Sequence, residues 1–93
     1  MSVVFFTSAT NSKVTVAATT TEVLEADDTR VFARITNDSD AVIYLALGED
    51  AVMNQGIRLA VGGYFEINSD NLYTGSVNAI SAAGSKVLSI TYK

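Results

Sequence analysis

Apolar and polar side chains alternate along this chain with a period of two, in short runs rich in Val, Ile, Thr, Phe and Tyr. That period belongs to a strand with one face in a core, and these residue types suit a pleated, half-buried surface. Lys13 to Ala18 sets Val14, Val16 and Ala18 against Lys13, Thr15 and Ala17, and Thr20 to Leu24 makes a second short run. Arg30 to Thr36 sets Val31, Ala33 and Ile35 on one face and Arg30, Phe32 and Arg34 on the other, which reads as a solvent or interface face. Ala41 to Leu47 is apolar on both faces, the mark of a central strand covered on two sides. Further runs are Gly56 to Val61, Gly63 to Ile67, Ser76 to Ala82 and Lys86 to Tyr92. Short strands at such spacing predict an all-β domain, a single antiparallel β-sandwich or flattened barrel of about eight or nine strands.

Turn residues separate the runs. Asn37-Asp38-Ser39-Asp40 suits a tight hairpin, because Asn and Asp bond their own main chain and tolerate left-handed backbone. Gly62-Gly63 sits between two strands, and Ala83-Gly84-Ser85 is expected to close a last hairpin. Gly48 to Gly56 lacks the alternation and reads as a protruding loop, with room for one helical turn over Glu49 to Asn54. Val3 to Phe6 is apolar on both faces and then gives way to Thr7-Ser8-Ala9-Thr10-Asn11-Ser12. Residues 1–12 are therefore expected as an N-terminal arm or a first edge strand, with residues 13–93 as the sandwich domain.

Composition narrows the chemistry. The 93 residues are 48% hydrophobic and 17% charged, with no His, Cys, Trp or Pro. That apolar share can offset the entropy of folding, so a packed domain is expected rather than a disordered chain. Without cysteine there is no disulfide framework, thiolate nucleophile or sulfur ligand for zinc. A chain this small, with no covalent staple, gains from association with other subunits. The net charge of −4 opposes direct contact with nucleic acid and with anionic membranes. The N-terminal apolar stretch is too short to span a bilayer and has no basic residue before it, so synthesis in the cytoplasm without export is expected.

Candidate catalytic constellations are weak. A Ser or Thr nucleophile has no His to serve as its base, and Lys13, Lys86 and Lys93 stand where solvated lysines ordinarily stand. The ten acids fall mostly in turn-like stretches with no spacing that pairs two across a groove. Glu25-Ala26-Asp27-Asp28 and Asn37-Asp38-Ser39-Asp40 cluster oxygens without matching a calcium loop. Gly62-Gly63 lacks the Lys-Ser/Thr and the helix of a phosphate cradle. No enzyme activity and no cofactor are expected. Tyr44, Tyr64, Tyr73 and Tyr92 could stack on sugars, although Trp, the favoured platform, is missing.

From Arg30 to Tyr92 the chain resembles small virion accessory proteins of tailed bacteriophages. The residues that carry the likeness are Ile35-Thr36-Asn37-Asp38-Ser39 and then Val42-Ile43-Tyr44-Leu45-Ala46-Leu47-Gly48. After them come Asn54-Gln55-Gly56-Ile57-Arg58-Leu59 and Gly62-Gly63-Tyr64-Phe65-Glu66-Ile67. The close is Tyr73-Thr74-Gly75-Ser76-Val77-Asn78-Ala79-Ile80-Ser81-Ala82, Gly84 and Val87 to Thr91. The resemblance implies a capsid cement or decoration protein, or the base of a head fibre. Its partner would be the major capsid protein, its state a homotrimer, and its place the outer surface of the capsid. A carbohydrate-binding or adsorption module of a head fibre or tail is the other role it implies.

Two contact surfaces are expected from exposed apolar and cationic side chains. Arg30, Phe32 and Arg34 with Tyr44 would pack subunits together, since Arg and aromatic residues are enriched at interfaces. Phe5 and Phe6 of the arm, with Val52 and Met53 of the Gly48–Gly56 loop, would grip the capsid.

Overall fold

A computed structural model describes residues 6–93 of the chain. Eight strands follow one another: β1 (Thr10–Val16), β2 (Thr21–Leu24), β3 (Ala33–Asn37), β4 (Ile43–Leu47), β5 (Ile57–Leu59), β6 (Tyr64–Ile67), β7 (Val77–Ser81) and β8 (Lys86–Tyr92). They form two four-stranded antiparallel sheets, ordered β1-β8-β3-β6 and β2-β7-β4-β5. The expected all-β sandwich is therefore what the chain adopts. This strand order, with every pair of sequence neighbours except β4 and β5 placed in opposite sheets, is that of a double-sheet jelly roll.

The register explains why the alternation was so regular. In the first sheet Val14 faces Leu88, Ile35 stands between Ile90 and Phe65, and Ala33 stands between Tyr92 and Ile67. In the second, Ile43 faces Leu59, and Leu45 stands between Ile57 and Ala79. These inward rows meet in one core of Val16, Val23, Leu24, Ala33, Ile35, Ile43, Leu45, Leu59, Ile67, Val77, Ala79, Leu88 and Ile90. Burying a Val, Leu or Ile side chain contributes about 1.5–3 kcal/mol, so this row set is the main stabilising element of an unstapled chain.

The turns behave differently from expectation. Asn37–Asp40, Gly62-Gly63 and Ala83–Ser85 do not close hairpins; each carries the chain from one sheet to the other. The physical reason is that a short turn of Asn, Asp or Gly reverses direction equally well in either arrangement. Asn37 decides the first crossing. It lies at an inward position, fully buried, and its amide donates to the carbonyls of Ala41 (2.7 Å) and Leu59 (3.0 Å). Its side-chain oxygen accepts from the Ser39 N–H and hydroxyl, and its main chain bonds to Gly62 and Gly63. One side chain thus ties β3 to the crossing and to the start of the next one.

Two other boundaries shift. β1 begins at Thr10, not Lys13, and residues 10–12 pair with Ile90–Tyr92 of their own chain. Residues 49–54 contain no helical turn; a tight turn with a bond from Gln55 N–H to Val52 O stands there instead.

Candidate interaction surfaces

Antiparallel register sorts the connections into two groups. The crossings at 17–20, 38–42, 60–63 and 82–85, four or five residues long, lie at one end of the sandwich. The longer segments 25–32, 48–56 and 68–76 lie at the other, together with the start of β1 and the end of β8. Long loops on a rigid scaffold are where binding residues concentrate, so this second end is the place to look.

Arg30 organises that end from within. It stands in the 25–32 segment, ahead of β3, so strand alternation does not set its direction. The side chain is 2% exposed, and its guanidinium donates to the carbonyls of Tyr73 (3.0 Å), Gly75 (3.1 Å) and Glu25. The expectation that Arg30 shares an outer face with Phe32 and Arg34 is therefore corrected: its cation is used inside, as a clamp between two loops. Asp27 N–H to Thr74 O (2.8 Å) and Gly48 N–H to Ser76 O (2.9 Å) extend the same network. The Tyr73 hydroxyl also donates to Ser76 O, at 2.8 Å. The Asp27 carboxyl is held below the usual carboxylate range, first by the Thr29 hydroxyl, then by the Thr29 N–H, with the Arg30 charge adding a little.

Arg30 also lines a cleft of about 580 Å³ between the open edges of β1 and β2, with Ser12, Leu24, Glu25, Asp27 and Tyr92. The acids at this cleft oppose the buried cation, so it presents no net positive site for an anion.

Other expected site residues separate onto opposite faces. Arg34 points outward from the first sheet, its guanidinium 3.7 Å from the Tyr64 ring centre and 3.5 Å from the Glu66 carboxylate. Tyr44 points outward from the second sheet, opposite Ile80 and Arg58, and its hydroxyl bonds to Asn54 at 3.3 Å. A single surface that combines Arg34 with Tyr44 is thus excluded by the sandwich between them. Phe32 is half-buried and meets Phe6, their ring centres 5.5 Å apart. Phe5 lies outside the described residues. Among the exposed large apolar side chains are Phe6, Leu47, Val52, Val61, Tyr64 and Leu72, and Met53 is half-buried.

Segment 48–56 lies back across the outer face of the second sheet rather than projecting from it. Asn78, an outward residue of β7, donates to Glu49 O at 2.7 Å, and Ala51 N–H reaches the Thr20 hydroxyl at 2.8 Å. Ala51 and the outward Ile80 are both buried although neither belongs to the central core, as expected beneath a loop laid across a sheet. Gly56 has φ +89°, and a side chain there would collide with the carbonyl of Leu45, so the loop's return to β5 requires glycine. Where the loop leaves β4 and returns to β5 there is a hollow of about 460 Å³, with Leu47, Val52 and Ile57 on its walls and Glu49, Asp50 and Gln55 around them.

The break in alternation placed Val52 and Met53 in this loop; Val52 lines the hollow and Met53 is not among its lining residues. Sequence reasoning missed Leu47, Glu49 and Asp50 as parts of one hollow, because nothing in the spacing says that the loop folds back.

Comparison with known proteins gave no match. No protein-family model, no curated protein and no solved structure matches the chain.

Proposed function

We propose that this chain is a non-enzymatic structural protein of a tailed-phage virion. It acts as a capsid cement or decoration protein on the outer surface of the shell, bridging neighbouring copies of the major capsid protein. The observation that carries this reading is the strand order β1-β8-β3-β6 over β2-β7-β4-β5, formed largely by the Arg30–Tyr92 region that resembles phage accessory proteins. Double-sheet jelly rolls recur in viral capsid domains, and the step from fold to role here is by analogy. Two features support it. The loop-bearing end is bound together by main-chain and Arg30 hydrogen bonds, which suits a part that must transmit load. It also exposes Phe6, Leu47, Val52 and Leu72, apolar surface that a partner would cover.

As a cement, the protein would work by area rather than by chemistry. A standard interface buries about 1,600 Å², and many copies around a shell together raise the cost of parting its subunits. A homotrimer suits this role, because one copy can then span several capsid subunits. Jelly rolls also serve as lectins, but the exposed Tyr64 has one ring face under Arg34, and Tyr44, Tyr73 and Tyr92 are half-buried.

The test is shell endurance. Shells of the encoding virus, prepared without this protein, should rupture at a higher temperature once it is added back, while saccharides leave its own melting temperature unchanged. Unaltered rupture, or a saccharide-dependent rise in melting temperature, would replace the cement role with the adsorption role.

A further inference from the structure

The hollow at the base of segment 48–56 combines three properties that together describe an occupant. Its walls are apolar and in part uncovered, with Val52 47% exposed and Leu47 beside it. Its rim carries Glu49 and Asp50, and no Lys or Arg lines it. Among the described residues the ion pairs are Arg34–Glu66 and Lys86–Asp40, so both rim acids lie outside them. Finally, the wall is already fixed: the loop is held by Ser76, Asn78, Thr20 and Tyr44 and turns on Gly56. A site fixed in advance does not lose loop entropy again when something binds.

We infer that this hollow is a docking site for a partner-chain segment that presents an aliphatic or aromatic side chain next to Lys or Arg. The apolar side chain would cover Leu47, Val52 and Ile57, and the cation would sit over Glu49 and Asp50. A second copy of this chain is the poorer occupant. Two copies, each of net charge −4, repel one another, and of the six bases Arg30 is buried and Arg34 and Lys86 are paired with acids, which leaves Lys13, Arg58 and Lys93. Complementary charge of this kind steers partners and weakens with salt. The inference rests on the virion reading only for the partner's identity, a basic-apolar segment of the shell; the chemistry of the hollow stands without it.

The probe is the blocked tetrapeptide Lys-Leu-Phe-Lys, titrated into ¹⁵N-labelled full-length protein, with Glu-Leu-Phe-Glu and Lys-Ser-Ser-Lys as controls. The expected result is saturable amide shifts confined to residues 45–57, at a Kd on the order of 1 mM, and no saturation with either control. A Glu49→Gln/Asp50→Asn variant should bind about five- to tenfold more weakly, as should Val52→Ser, with shifts elsewhere unchanged. These positions are exposed, so the variants retain the fold, and the rest of the amide spectrum verifies it. Absent or scattered shifts, equal binding of the acidic peptide, or undiminished binding by the variants would overturn the site. Co-sedimentation of wild type and the Glu49→Gln/Asp50→Asn variant with shells separates this from the wider reading. If neither binds shells, the virion role fails and the peptide result still decides the hollow. If both bind shells equally, the hollow is not the contact used there.

Discussion

Arg30 and Arg34 are four residues apart and do opposite work. Arg30, its side chain buried, satisfies three carbonyls between two loops, whereas Arg34 lies on an outer face beside Tyr64 and Glu66. Removing a buried partner leaves its acceptors unsatisfied, at about 1–3 kcal/mol for each affected group, whereas exposed pairs are worth about 0–1 kcal/mol. Arg30→Ala is accordingly expected to lower unfolding free energy by about 3 kcal/mol or more and Arg34→Ala by less than about 1, measured by urea denaturation. Equal losses would contradict the clamp. The alternation of Arg30, Phe32 and Arg34 suggested one face in the sequence. It misled because the strand starts only at Ala33, and side-chain parity has no meaning ahead of it. Titration follows from the same scale. Asp40 is held below its usual range, first by the hydrogen bond from Lys86 and then by that residue's charge, and Asp27 by its bonds from Thr29. A carboxyl with a lower folded pKa adds stability above its unfolded value, here 3.8, and loses it as pH falls through the folded one. With no His in the chain, stability should stay level from about pH 5 to 8 and decline below about pH 4 in thermal scans. A step near neutral pH would contradict this.

At the scale of elements, nearly all the strands were legible, because inward rows such as Ile43, Leu45 and Ala33, Ile35 announce themselves by period two. What the sequence could not convey was pairing. A turn of Asn-Asp-Ser-Asp reverses the chain whether the next strand lies beside the last one or across the core. The decisive clue lay in parity: Asn37 continues the inward row of Ala33 and Ile35, so a polar side chain had to be satisfied inside. Asn37→Asp tests its part in the crossing. The substitution replaces the amide that donates to Ala41 and Leu59 with acceptors facing acceptors. A loss of about 3 kcal/mol or more is expected by urea denaturation, because a buried charge is added to the unmet bonds. A loss below about 1 kcal/mol would mean that the crossing is held by other contacts. The site was half legible on the same grounds. Broken alternation marked 48–56 as a loop, but its path across the outer sheet depends on Asn78 and Thr20, distant in sequence.

For the whole molecule, the jelly roll explains how so short a chain without disulfides gathers its long loops at one end and bonds them to one another. Two sheets share one apolar core, every crossing but one joins them, and the long loops are bound to one another at a single end. Apolar surface remains exposed there, which is where the proposed role draws its contacts. That role predicts an assembly, and sedimentation reads it directly. Purified protein should run as a trimer and, mixed with expanded shells lacking it, should co-sediment at a fixed ratio to the major capsid protein. A monomer that stays in the supernatant at every concentration of shells would contradict the account.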